Sequence, residues 1–114
     1  MIKIVPKVWG EERHIVNNDK YCGKILILNK GWRCSLHFHK IKLETFHCLK
    51  GLVGLELEEA YNILMPGDTI DIPVGNYHRF TGLEDSQILE ISTHDDVADN
   101  HRKEESGRDE NIVL

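Results

Sequence analysis

Short stretches of alternating apolar and polar residues recur along the chain and predict a protein built from β-strands. Side chains two residues apart share one face of a strand, so alternation at this period indicates a half-buried strand. Glycine- and proline-bearing turns separate these stretches. The clearest stretches are 21–29, 52–57, 69–72 and 87–93. About eight such strands predict an all-β fold, an antiparallel double-sheet barrel of the jelly-roll type.

The predicted strand at 21–29 is apolar on both of its faces. Such a strand is usually covered on both sides, and in a small barrel the second cover is often a partner subunit. We therefore expect a homodimer whose interface buries two outward apolar pairs, Leu26 with Leu28 and Leu89 with Ile91.

Length and charge divide the chain into two parts. The 114 residues have room for one domain with one modest core. Of the formal net charge of -5, residues 95–114 carry -4, because they hold seven acidic and three basic side chains. We predict a barrel at 1–94, including an irregular N-terminal segment that leads into it, and an acidic polar tail at 95–114. The tail is either a short docked helix or disordered, with only 112–114 apolar enough to join a core.

Composition also excludes several classes of function. No stripe of lysine and arginine is present to neutralise phosphates, which argues against a nucleic-acid partner. No run of eighteen apolar residues and no signal-peptide pattern occurs, so we expect no membrane partner and a cytoplasmic location. Three cysteines without CxxC spacing fit reduced thiols better than a disulfide framework.

The stretch 31–51 holds the strongest candidate chemistry. His37 and His39 are two residues apart, so on a strand both imidazoles leave the same face, as adjacent metal ligands must. Glu44 follows five residues later and joins them only if the chain turns at 40–43 and pairs back as a hairpin. His78, after a second glycine- and proline-bearing stretch, is the natural fourth ligand.

These residues resemble the two motifs of the cupin superfamily. The first reads Gly31-x5-His37-x-His39-x4-Glu44-x6-Gly51 and the second reads Gly67-x5-Pro73-x-Gly75-x2-His78. The chain departs only at Gly82, where cupins often have an asparagine that is not a ligand. The resemblance implies a jelly roll that holds one divalent ion through His37, His39, Glu44 and His78. Zn, Mn, Fe and Ni all suit three imidazoles and one carboxylate.

A closer resemblance is to the cupin domain of type II mannose-6-phosphate isomerases. Trp9 and Gly10 match an opening Pro-Trp-Gly element in which Val8 replaces the proline, and Asp95, Asp96 and Arg102 approximate a closing acidic run with an arginine. The order HxHxxKxE at 37–44 also resembles the metal motif of D-lyxose isomerases.

The resemblance implies aldose–ketose isomerisation of a small sugar. Glu90, a carboxylate in an apolar strand, is the candidate base, and Lys42 is the candidate acid or orienting cation. Arg102 or Arg33 could hold a substrate phosphate, but no basic cluster stands out, which favours an unphosphorylated sugar.

Four alternatives remain open from the sequence. Lys42 could be an ordinary solvated loop lysine, and Trp9 could be a rim aromatic rather than a substrate platform or a dimer contact. The whole protein could be a non-catalytic module that binds sugar or metal. With Fe(II), the same ligands could instead activate O2 in a dioxygenase.

Overall fold

A computed structural model describes residues 2–112 as two antiparallel β-sheets. Positions 113–114 of the expected apolar end lie outside the described residues. Within 2–112 the single helical turn is a 3-10 helix at Val97–Asp99. The strands, in chain order, are β1 (Lys3–Lys7), β2 (Gly10–Asn17), β3 (Cys22–Leu28), β4 (Trp32–Arg33), β5 (Leu36–Phe38), β6 (Glu44–Lys50), β7 (Val53–Leu57), β8 (Ala60–Leu64), β9 (Thr69–Ile72), β10 (His78–Gly82), β11 (Ser86–Ser92), β12 (His101–Glu104) and β13 (Gly107–Arg108).

The two sheets confirm the predicted double-sheet jelly roll. The first has the order β1-β2-β3-β11-β6-β9. In the second, β10 pairs with β7 along its whole length and with β4 and β5 near its two ends. Strands β8, β12 and β13 extend this sheet from β7, β5 and β4.

The core lies between the sheets, and buried residues alternate along β6 and β11. Strand β6 buries Glu44, Phe46 and Cys48 and turns His47 outward, as the sequence predicts. Strand β11 likewise buries Ile88, Glu90 and Ser92. Both strands therefore carry one carboxylate each into the interior.

One predicted subunit contact is wrong. Leu26 and Leu28 are 2% and 1% exposed and point into the core, together with Lys24. Alternation alone could not decide which face of this strand is inside, because both faces are apolar. The outward face instead carries Ile25 and Ile27.

The N-terminal segment is a β-hairpin rather than an irregular lead-in. Strands β1 and β2 pair from Lys3 with His14 to Lys7 with Gly10. Gly10 has a φ of 148°, and a β-carbon there would collide with the carbonyl oxygen of Ile27. Only glycine therefore lets the hairpin lie this close to β3. Trp9, beside it, is buried edge-to-face against Phe80, with ring centroids 5.1 Å apart.

The acidic tail is neither a docked α-helix nor disordered in its described part. Strand β12 pairs with β5, and β13 pairs with β4, so the polar segment docks by backbone hydrogen bonds rather than by apolar burial. The buried Arg79 guanidinium ties it down, donating to the Glu104 carboxylate and the Glu105 carbonyl, each at 3.0 Å. The boundary between 1–94 and 95–114 stays a prediction.

No helix among residues 2–112 has the length and apolar character needed to cross a bilayer.

Candidate metal centre

Two neighbouring strands of the second sheet bring three histidines together. His37 on β5 lies directly opposite His78 on β10, and His39 follows at the end of β5. One ring nitrogen from each imidazole lies within 4.8 Å of those of the other two. His39 and His78 are buried, whereas His37 is partly accessible. The cluster therefore has the spacing of a metal site that is open on one side.

Each of the three imidazoles is oriented by a hydrogen bond from its Nδ1 to a backbone carbonyl. The pairs are His37 with Ser35 at 2.8 Å, His39 with Asp99 at 2.7 Å and His78 with Asn76 at 3.0 Å. A carbonyl only accepts, so each Nδ1 carries the hydrogen and each Nε2 keeps a lone pair. This arrangement fixes the tautomer that a metal requires.

Glu44 reaches the histidines from the other sheet. The predicted turn at 40–43 is present, but β5 and β6 do not pair as a hairpin; β6 lies between β11 and β9. The chain crosses between sheets, which brings Glu44 to face His39 and His78 across the barrel. Its Oε1 lies 3.1 Å from the Nε2 atoms of both.

These convergent atoms fit a divalent ion. In the described part of the chain, His39 Nε2, His78 Nε2 and Glu44 Oε1 are buried and make no hydrogen bond of acceptable geometry, despite their short separations. Adjacent ligands bonded at about 2.1 Å and right angles are about 3 Å apart, which the 3.1 Å separations match. Unpaired buried polar atoms are costly, and an ion between them would remove that cost.

The protonation states of His37 and Glu44 also suit a metal. Burial, reinforced by His78, lowers the pKa of His37 to about 3, so its imidazole is neutral. Burial alone would raise the pKa of Glu44, but the adjacent His39, His78 and Lys42 hold it well below its usual range. The cluster thus offers a neutral imidazole and an ionised carboxylate, as metal ligation requires.

Lys42 is buried beside this cluster and is not a solvated loop lysine. Its side chain is 5% exposed, and its ammonium lies 2.8 Å from Asp95, 3.1 Å from Glu90 and 3.3 Å from Glu44. Burial alone would lower its pKa, but these carboxylates raise it well above its ordinary value. Three carboxylates surround the ammonium, and the raised pKa keeps Lys42 charged, which favours the orienting cation of its two expected roles.

Glu90, unlike Lys42, has a pKa near neutral pH. Burial and the nearby Glu44 carboxylate raise its pKa to about 7, although Lys42 and Lys24 oppose the shift. A carboxylate poised near neutrality can both accept and return a proton. Lys42 and Glu90, singled out separately in the sequence, are therefore neighbours with complementary properties.

A cavity of about 290 Å³ opens beside these groups. Of the two candidate phosphate-binding arginines, Arg102 lines it and Arg33 does not. Sequence reasoning missed several polar residues in its wall. They are Lys3, Lys7, Glu12, His14 and Lys24. A charged residue within the apolar run of β3 was the available signal for Lys24, whereas the Trp-Gly element of the β1–β2 hairpin gave no role to the charged side chains beside it.

The raised pKa of Glu90 predicts a pH-dependent loss of stability in the metal-free protein. Unfolded glutamate ionises near pH 4.5, whereas folded Glu90 holds its proton to about pH 7. Stabilisation by the protonated form is therefore complete below pH 4.5 and is lost as pH rises through 7. The difference corresponds to about 3 kcal/mol of unfolding free energy.

Urea unfolding of metal-free wild type and Glu90→Gln at pH 5 and pH 8 measures this loss. The titrating groups remote from Glu90 are common to both proteins and cancel in the comparison. We expect the variant to gain stability relative to wild type between the two pH values; equal pH dependence would contradict the assignment.

Comparison with solved structures establishes the fold. An RmlC-like cupin from Shewanella frigidimarina superimposes with a TM-score of 0.78 at 12% identity, over 86% of this chain and 88% of that one. Both cupin motifs are complete at their ligand positions, and the fold brings those four residues together. The chain has the cupin fold.

Two curated proteins are similar to this cupin in sequence. A mannose-1-phosphate guanylyltransferase from Sinorhizobium fredii is 32% identical, covering 75% of this chain and 17% of that protein. A D-lyxose/D-mannose isomerase from Thermosediminibacter oceani is 31% identical, covering 71% and 60%. The cupin thus spans between about a sixth and three fifths of these relatives' lengths. No family model matches the chain.

Proposed function

We propose that this cupin is a metal-dependent aldose–ketose isomerase acting on a small sugar. The observation that carries the proposal is the contact between Lys42 and Glu90, 3.1 Å apart, beside a four-residue metal cluster. A base with a pKa near 7 beside a fixed cation suits the transfer of a proton between two carbons. The similarity to an isomerase of D-lyxose and D-mannose supports the same reaction class.

His37, His39, Glu44 and His78 would hold the ion. A bound divalent ion would supply a Lewis acid that polarises the carbonyl of an open-chain sugar. Zn, Mn, Fe and Ni all fit the donor set.

Glu90 carries out the proton transfer. Its carboxylate removes the proton from the carbon beside the carbonyl and returns it to the neighbouring carbon, while the hydroxyl proton moves from one oxygen to the other. Lys42 holds Glu90 in place and stabilises the negative charge that develops on the substrate oxygens. Atoms and charge balance, since the reaction only rearranges the sugar.

Proton exchange followed by NMR tests this proposal. Protein loaded with Zn, Mn, Fe or Ni is incubated in D2O with aldoses, ketoses and their 6-phosphates, and deuterium at C1 or C2 is scored. We expect incorporation with one sugar that disappears in His37→Ala. Oxygen uptake with Fe(II), or sugar binding without exchange under any metal, would replace the isomerase with a dioxygenase or a binding module.

We also propose that the cupin is a homodimer, with a corrected interface. Leu89 lies directly across from Ile25 on the outer face of the first sheet, beside Ile91, which is 54% exposed. Exposed apolar surface of this kind is typical of an interface.

Light scattering at micromolar concentration checks the interface. We expect a dimer in the wild type and a monomer in Ile91→Lys. Ile63 is equally exposed, at 54%, but lies on β8 of the other sheet, so Ile63→Lys should remain dimeric. A monomeric wild type would contradict the proposal.

A further inference from the structure

Asp99 contacts four consecutive residues of the loop that carries the site, although it does not line the cavity. It lies in the 3-10 turn of the tail, 7% exposed. Its backbone carbonyl accepts the Nδ1 hydrogen of His39 at 2.7 Å. Its carboxylate accepts the amide hydrogens of Lys40 at 2.8 Å, Ile41 at 3.1 Å and Lys42 at 3.0 Å.

The amide hydrogens of Lys40, Ile41 and Lys42 have no backbone acceptor on a neighbouring strand, because residues 40–43 cross from one sheet to the other. Buried or half-buried amides need an acceptor, and one carboxylate with two oxygens can serve all three. Hydrogen bonds to an ionised acceptor are also stronger than neutral ones. Asp99 therefore determines the path of the backbone that delivers the Lys42 side chain.

We propose that Asp99 is a positioning residue that joins the metal cluster to Lys42. Its carbonyl holds His39 in the tautomer that leaves Nε2 free, and its carboxylate holds the loop that aims the Lys42 ammonium at Glu90. The expected effect of Asp99 on kcat rests on the isomerase activity proposed above. Its effect on the loop and on the tautomer of His39 does not depend on that activity.

The variant Asp99→Asn separates the role of the Asp99 backbone carbonyl from the role of its carboxylate. The backbone carbonyl that meets His39 is retained, so affinity for Zn2+ should change less than about threefold. One carboxylate oxygen becomes an NH2 group facing amide donors, so the loop loses part of its support. Removing such supporting partners typically costs about 10- to 100-fold in activity, and we expect that loss in kcat for proton exchange.

Four measurements on the full chain test the inference. They are hydrogen exchange of the amides of Lys40, Ile41 and Lys42, the 15N signal of the Lys42 ammonium, calorimetric titration with Zn2+, and deuterium incorporation into the active sugar. Asp68→Asn is the matched control, because that carboxylate accepts the Met65 amide at 2.8 Å in an exposed turn. The control should match wild type in all four measurements.

We expect Asp99→Asn to lose amide protection, shift the Lys42 signal and lower kcat while retaining Zn2+ affinity. Wild-type protection and turnover in the variant would overturn the proposal, and so would a parallel loss of Zn2+ affinity, which indicates general loosening. In metal-free wild type, 15N NMR should show the Nδ1–H tautomer of His39, and the opposite tautomer would overturn the carbonyl's role.

Failure of the isomerase proposal gives a different set of results from failure of the Asp99 proposal. Wild type would then exchange no sugar proton, while Asp99→Asn would still lose amide protection and shift the Lys42 signal.

Discussion

Replacing His78 with alanine is expected to lower affinity for a divalent ion by more than about 100-fold. Changes to groups that only orient a ligand already cost 10- to 100-fold, and His78 Nε2 is itself one of the convergent atoms, 3.1 Å from Glu44. Turnover should fall with the ion. Calorimetric titration with Zn2+ and Mn2+ measures the loss directly.

Thermal unfolding gives an independent measurement of the same variant. Zinc at 100 times its dissociation constant should stabilise wild type by about 2.7 kcal/mol, and His78→Ala should show little of this gain. His47→Ala is the control, because His47 faces outward and pairs with the Thr69 hydroxyl at 2.7 Å. Equal zinc stabilisation of wild type and His78→Ala would refute the metal centre.

Replacing Lys42 with methionine should lower kcat by about 10²- to 10³-fold, the range typical of losing one group that stabilises developing negative charge, while the ion remains bound. The methionine keeps most of the side-chain volume but removes the cation between Glu44, Glu90 and Asp95. Without that cation the pKa of Glu90 should rise above about 7. The acid limb of the pH–rate profile should therefore move to higher pH.

The shift of the acid limb distinguishes an electrostatic role from a structural one. Lys50→Met, at an exposed position on β6, should leave both kcat and the pH profile unchanged. If Lys42→Met lowered kcat without moving the profile, Lys42 would not control the ionisation of Glu90.

The barrel and the grouping of the four candidate ligands could be predicted because they depend on local signals. Strand alternation gives the inward faces of β6 and β11, and spacing between histidines and glycine turns marks the two motifs. The path to Glu44 could not be predicted, since the same spacing allows a hairpin or a crossing between sheets. Only the pairing of β6 with β9 and β11 decides it.

Lys24 and Asp99 show why the rest of the site could not be predicted from the sequence. Lys24 lies on a strand that is apolar on both faces, so its inward direction depends on which sheet face meets the core. Asp99 lies 60 positions from His39 in a polar segment with no periodicity. Its role comes from hydrogen bonds to backbone groups, and such bonds leave no pattern of residue types.

The 60 positions between His39 and Asp99 also predict the order in which the chain folds and binds its metal. The loop of 60 residues between His39 and Asp99 must close before the tautomer of His39 is fixed. Distant pairings of this kind form late and slowly in folding. Metal capture should consequently follow folding instead of guiding it, so refolding rates should be the same with and without zinc while unfolding becomes slower.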